Sequence, residues 1–298
     1  KNKEITSAEA TKSVLERIDS VEEKVEGYIT VCSESAMERA AEIDKKLAAG
    51  EEVGPLAGVP CAIKDNMCTR DVLTTCASKM LYNYKPPYNA TVVEKLNAAG
   101  TVTLGKVNMD EFAMGSSTEN SYFKKTKNPY DLTKVPGGSS GGSAASVAAD
   151  EAPFSLGSDT GGSIRQPAAF CGCVGLKPTY GSVSRYGLIA FASSLDQIGP
   201  LAKDVRDAAM VLDVIAGHDE KDSTSVDVAH PCYENALTGD IQGLKIGIPE
   251  EYIGDGIDGE VSSAIYAAID NMKSLGAESE NMNLPLNKYA LPTYYMIS

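Results

Sequence analysis

The 298-residue sequence predicts an α/β fold, a layered sheet with helices on both faces. Two observations carry this. Apolar residues at helical spacing alternate along the chain with short apolar runs of strand length. Caps and glycines separate the two kinds of segment.

The elements follow in order. Thr6 and Glu9 form a capping box ahead of Val14, Leu15, Ile18 and Val21, which share one helical face. A second helix is expected over 34–49, stopped by Gly50. Val59-Pro60-Cys61-Ala62-Ile63 reads as a buried strand running into Lys64-Asp65-Asn66. Asn89 is the expected cap of a helix carrying Val92, Val93 and Leu96 and closed by Gly100. Strands are expected over 101–104, 154–156 and 173–176, with a small-residue helix over 144–149. Asp204 caps a helix through Ala208, Val211, Leu212 and Ile215. Residues 218–243 are polar and turn-rich and read as a long surface connection, before a strand over 244–248 and a helix over about 260–275. The reading is of one domain over 1–298. Its start at Lys1 reads as trimmed, and its end inside the apolar segment 291–298 as a cut within a longer protein.

Composition excludes several classes. The net charge of −14, from 41 acidic and 27 basic residues, repels a phosphate backbone, so any nucleic acid is expected on another subunit. No apolar run reaches the length of a membrane span, and no secretory leader is visible, so no membrane partner is expected. Seven irregularly spaced cysteines fit reduced thiols and a cytoplasmic protein. Cys171 and Cys173 read as small core residues, because two histidines in the whole chain leave little to complete a metal site. No metal is expected.

Two glycine-serine segments carry the chemistry. The first is Pro136-Gly137-Gly138-Ser139-Ser140-Gly141-Gly142-Ser143. The second is Gly157-Ser158-Asp159-Thr160-Gly161-Gly162-Ser163-Ile164-Arg165. Apolar elements flank both tightly, which argues against flexible tethers. Neither has the lysine of a phosphate loop. Residues 138–142 match a Gly-x-Ser-x-Gly elbow only because glycine and serine fill the segment. A serine–histidine triad has only His218 and His230 to draw on, both in the polar connection. Lys64 is either a strand-end lysine whose head reaches water or a buried lysine able to act as a base.

With these residues in place, the chain resembles the amidase signature family. Ile63-Lys64-Asp65-Asn66, the 137–143 turn, the 157–169 segment and Gly172-Cys173-Val174-Gly175-Leu176-Lys177-Pro178-Thr179 match its motifs in order. The resemblance implies the amidase-signature fold, a central mixed β-sheet flanked by helices on both faces. It also implies a cis peptide at Gly138–Ser139 and a catalytic set of Lys64, Ser139 and Ser163. Lys64 would take a proton from Ser139, Ser139 from Ser163, and Ser163 would attack an amide to give an acyl-enzyme. Backbone N–H groups of Thr160, Gly161, Gly162 and Ser163 would hold the oxyanion.

The stretch 184–200, with Met109-Asp110-Glu111-Phe112-Ala113-Met114-Gly115-Ser116-Ser117-Thr118-Glu119-Asn120, is similar to the branch of the family that serves tRNA-dependent amidotransferases. That resemblance implies glutamine as substrate, ammonia as product and partner B and C subunits. The B subunit would use ATP and Mg to activate the aminoacyl-tRNA. No cofactor is expected in this subunit. Met114, Gly115, Ser116 and Tyr294 are the implied substrate-facing residues. The alternative is a free-standing amidase acting on small amides.

Overall fold

The computed structural model describes residues 4–253 and 256–298. They form two compact units, 1–234 and 235–298. The boundary falls inside the 218–243 connection, where the sequence reading runs one domain through.

The first unit is built on a six-stranded mixed sheet in the order β1-β3-β2-β4-β6-β5. Its strands are β1 (Tyr28–Val31), β2 (Pro60–Lys64), β3 (Val102–Val107), β4 (Phe154–Asp159), β5 (Val174–Gly175) and β6 (Gln197–Ala202). β2 pairs in parallel with both β3 and β4, while β1, β6 and β5 join antiparallel. A strand with parallel neighbours on both sides is buried on both faces, and every residue of β2 is buried.

Helices cover both faces. On one, α3 (Thr91–Ala98) and α6 (Val205–Ile215) pack Val92, Leu96, Ala208, Val211, Leu212 and Ile215 against Cys61, Ile63, Leu156 and Ile198. On the other, Leu15 and Ile18 of α1 (Ser7–Val25) meet Ala62 and Leu104. Cys61 and Ile63 face one way and Ala62 the other, as strand pleating requires. Each of the valine, leucine and isoleucine side chains contributes about 1.5–3 kcal/mol when fully buried. α2 (Ser33–Ala49) closes behind α1 at Gly50, which has φ 72°. α4 (Gly141–Ala148) is buried almost throughout, and its small residues let Ala144 and Val147 pack on Ile164, just before α5 (Arg165–Phe170), and on Ala168 within it.

The capping box at Thr6 and the cap at Asp204 are present as read. Other expectations are corrected. Asn89 does not cap α3. Its side chain accepts the Arg70 N–H at 2.7 Å, and Ala90 holds the cap position without a side-chain bond. α4 begins three residues before the expected 144. The strand over 173–176 is only two residues long. The start of the 218–243 connection is packed: Asp219 accepts from Thr91 and Ser184, and Asp222, 8% exposed, accepts the Arg185 N–H.

The second unit is a β-α-β arrangement. β7 (Lys245–Pro249) pairs in parallel with β8 (Glu278–Met282), with α7 (Gly259–Ser274) between them in sequence. Asp258 caps α7 by accepting the Glu260 N–H at 2.8 Å. α8 (Ala290–Ile297) follows. Among the described residues, no helix is long and apolar enough to cross a membrane.

Candidate active site

Lys64 is the last residue of β2 and is fully buried. Its Nζ lies 2.8 Å from Ser139 Oγ, 2.9 Å from Ser140 Oγ and 2.9 Å from Ser158 Oγ. The Ser158 carbonyl is at 3.3 Å. Of the two sequence readings of this lysine, the buried one holds. Burial depresses its amine to about 7, against the opposing pull of Asp110, Asp159 and Asp196. Near neutral pH a substantial fraction of this amine is therefore unprotonated.

Ser139 and Ser140 sit in the turn between Pro136 and α4, both with no exposed surface. The Gly138–Ser139 peptide is cis. Several close approaches require glycine. A Cβ on Gly138 would lie 2.1 Å from Asp110 Oδ2, and one on Gly157 would lie 2.9 Å from Ser140 Oγ. Ser140 Oγ donates to the Ser158 carbonyl at 3.1 Å and accepts the Ser158 N–H at 3.3 Å, locking the turn to the end of β4. Asp110 is buried among the backbone amides of 117–120, and burial pushes its carboxyl up.

Ser163 lies on the turn between β4 and α5 and is half-buried. The Ser163 carbonyl accepts the Ser140 N–H at 3.1 Å, so the two serine turns are joined through backbone. Among the described residues the Ser163 hydroxyl makes no hydrogen bond, so the Ser139–Ser163 link is not closed here. Asp159 shapes this turn. Its carboxylate accepts the N–H groups of Gly162 at 2.8 Å and Ile164 at 3.0 Å, and the Arg165 guanidinium at 3.0 and 3.1 Å. Burial works against its charge, but those donors outweigh it and hold the carboxyl below its usual range. The Gly162 amide is thereby committed to Asp159. The amides of Thr160, Gly161 and Ser163 have no acceptor among the described residues.

Met114, Gly115 and Ser116 lie beside the glycine-serine turn, bridged to it by Gln166. Gln166 Nε2 donates to the Ser116 carbonyl at 3.0 Å, and its Oε1 accepts the Gly138 N–H at 2.8 Å. Met114 is 54% exposed. Tyr294 belongs to the second unit, on α8, where its ring meets Tyr295 edge-on at 5.3 Å. Sequence reasoning passed over Asn66, Ser158 and Asp159 as individual residues, and weighed Ser140 only as the centre of a weak Gly-x-Ser-x-Gly match. All four lie inside the motifs that drew attention to Lys64, Ser139 and Ser163, so their position was the available signal. His230 pairs with Tyr233 at 2.9 Å, away from this cluster. Among the described residues, no group of three His, Cys, Asp or Glu side chains is placed to hold a metal ion.

A lysine buried under a ring of serines, near a glycine turn with amides that have no acceptor among the described residues, is an arrangement suited to serine chemistry without histidine. The Amidase family model matches residues 9–298, and the chain belongs to this family. Among relatives, it is 64% identical over all 298 residues to the A subunit of the glutamyl-tRNA(Gln) amidotransferase of Carboxydothermus hydrogenoformans, and 60% identical to that of Geobacillus kaustophilus. It covers 61% of the length of each. The crystal structure of the corresponding glutamyl-tRNA(Gln) amidotransferase chain from Thermotoga maritima superposes with a TM-score of 0.88 at 46% identity, over 98% of this chain and 61% of that one. The native peptide amidase of Stenotrophomonas maltophilia gives 0.88 at 33% identity, over 98% of this chain and 61% of that one. The mixed sheet with helices on both faces is the amidase-signature fold of these neighbours.

Proposed function

We propose that the protein is the glutaminase component of a tRNA-dependent amidotransferase. The observation that carries the chemistry is a buried, partly neutral Lys64 at 2.8 Å from Ser139. Neutral Lys64 takes the Ser139 proton as Ser139 takes the proton of Ser163. Ser163 attacks the glutamine side-chain amide, forming the acyl–oxygen bond. The amides of Thr160, Gly161 and Ser163 stabilise the oxyanion. The relay returns the proton to the leaving ammonia, and water then cleaves the acyl-enzyme to glutamate.

The amidotransferase relatives support glutamine as substrate and partner subunits as its setting. In this reading, B and C subunits complete a heterotrimer. The B subunit uses ATP and Mg to activate glutamate on tRNA(Gln), or aspartate on tRNA(Asn), and receives the ammonia. Met114, Gly115 and Ser116, beside the glycine-serine turn, contact the substrate. The complex works in the cytoplasm.

The test is ammonia release from glutamine by the full-length protein, alone and with its B and C subunits. Release that rises with the partners and disappears in Ser163→Ala is the expected result. Vigorous hydrolysis of simple amides, indifferent to the partners, would instead mark a free-standing amidase.

A further inference from the structure

We propose that Asn66 is a positioning residue which, acting through Ser158, reserves the Lys64 lone pair for Ser139. The inference rests on the reading of Lys64 as the relay base.

A neutral amine has two N–H bonds and one lone pair. Three hydroxyl oxygens ring Lys64 Nζ at 2.8, 2.9 and 2.9 Å. Only one hydroxyl can therefore donate to the lone pair, the two N–H bonds being shared among the other hydroxyls and the Ser158 carbonyl at 3.3 Å. Ser140 can only accept, because its own proton is on the Ser158 carbonyl and the Ser158 N–H points at its oxygen. Ser139 and Ser158 are left to compete for the lone pair. Only donation by Ser139 readies the relay toward Ser163.

Asn66 decides that competition. It is 2% exposed, and its side-chain amide lies 2.9 Å from Ser158 Oγ through Nδ2. In that orientation Asn66 donates to Ser158, and among the described residues the Ser158 proton has only Lys64 to go to. The same orientation leaves Asn66 Oδ1 buried with no hydrogen-bond partner. A half-turn of the amide, which exchanges groups of nearly equal size, puts Oδ1 against Ser158 and Nδ2 in the position that Oδ1 held. Ser158 then donates to Asn66, its oxygen accepts from Lys64, and Ser139 alone can donate to the lone pair. One amide rotation thus separates an idle hydrogen-bond pattern from a productive one.

The test measures glutamine hydrolysis against pH by the assembled complex. Its variants are Asn66→Ala, Asn66→Ala/Ser158→Ala and Asn66→Asp. Asn66→Ala is expected to lower kcat by about 100-fold, within the range of general-base effects, with KM changed less than about twofold. Deleting the competing hydroxyl in Asn66→Ala/Ser158→Ala should recover about tenfold of that loss. A merely structural role predicts further loss instead. Asn66→Asp offers only acceptor oxygens, so it should keep most of the high-pH rate. Its charge joins Asp110, Asp159 and Asp196 around Lys64, so its acid limb should move to higher pH. A double variant no faster than Asn66→Ala, or an Asn66→Asp enzyme that loses its high-pH rate, overturns the proposal. Lys64→Ala and Ser163→Ala run alongside. Retained activity in those two sinks the relay itself, whereas their inactivity without rescue sinks only the role of Asn66.

Discussion

At the residue scale, the proposed relay depends on keeping one amine uncharged in the field of three carboxylates. Desolvation pulls Lys64 down, and Asp110, Asp159 and Asp196 pull it back. The balance leaves it near 7, where a general base works best at neutral pH. A base with a depressed pKa is neutral above that value and protonated below it. Glutaminase kcat/KM should accordingly fall about tenfold per pH unit below about 7. Lys64→Ala should remove the limb together with most of the rate, and an unchanged limb in that variant would assign it to another group. The three residues of the proposed relay could be singled out because each sits in a long motif. The partners of Lys64 were not. Ser140 and Ser158 meet it only because the start of α4 and the end of β4 converge, a fact of the fold that spacing along the chain does not contain.

At the scale of elements, much of the architecture was written in caps and periodicity, as at Thr6, Gly50 and Asp204. β6 was not. Its sequence Gln197-Ile198-Gly199-Pro200-Leu201-Ala202 has no alternation, because both faces are buried, and it contains a proline. Pro200 is tolerated there as an acceptor: its carbonyl takes the Leu176 N–H at 3.0 Å. Past the end of α4, Glu151 is wholly buried, close to Glu22 of α1. Burial, then the Glu22 charge, raises its carboxyl from 4.5. A carboxyl raised in the folded state favours folding below its ordinary pKa, and that contribution is lost as pH climbs through the raised value. Glu151→Gln keeps the shape and removes the titration. Its melting temperature should exceed the parent's by roughly 2–4 °C at pH 8, with little difference at pH 5. An equal gain at both pH values would place the effect in packing rather than protonation.

At the scale of the whole molecule, the 298 residues carry a net charge of −14. A surface of that sign holds a polyanion at a distance. In a gel-shift titration at about 100 mM salt, tRNA should therefore bind the assembled complex and not the full-length form of this chain by itself. Binding by the isolated chain would move the RNA contacts onto it. The division of the chain at 234–235 was not legible, since the polar stretch around it reads equally as a loop within one domain or a link between two units.

The two histidines, and the burial of most cysteines, also determine which reagents this enzyme notices. His218 and His230 lie outside the serine cluster, and Cys61, Cys68, Cys76 and Cys171 are buried. Burial pushes the thiols of Cys61 and Cys171 up to about 12. Imidazole-acylating and thiol-alkylating reagents should therefore spare the proposed relay, which uses neither group. Cys232 alone among the seven is exposed, which makes it the thiol most open to labelling.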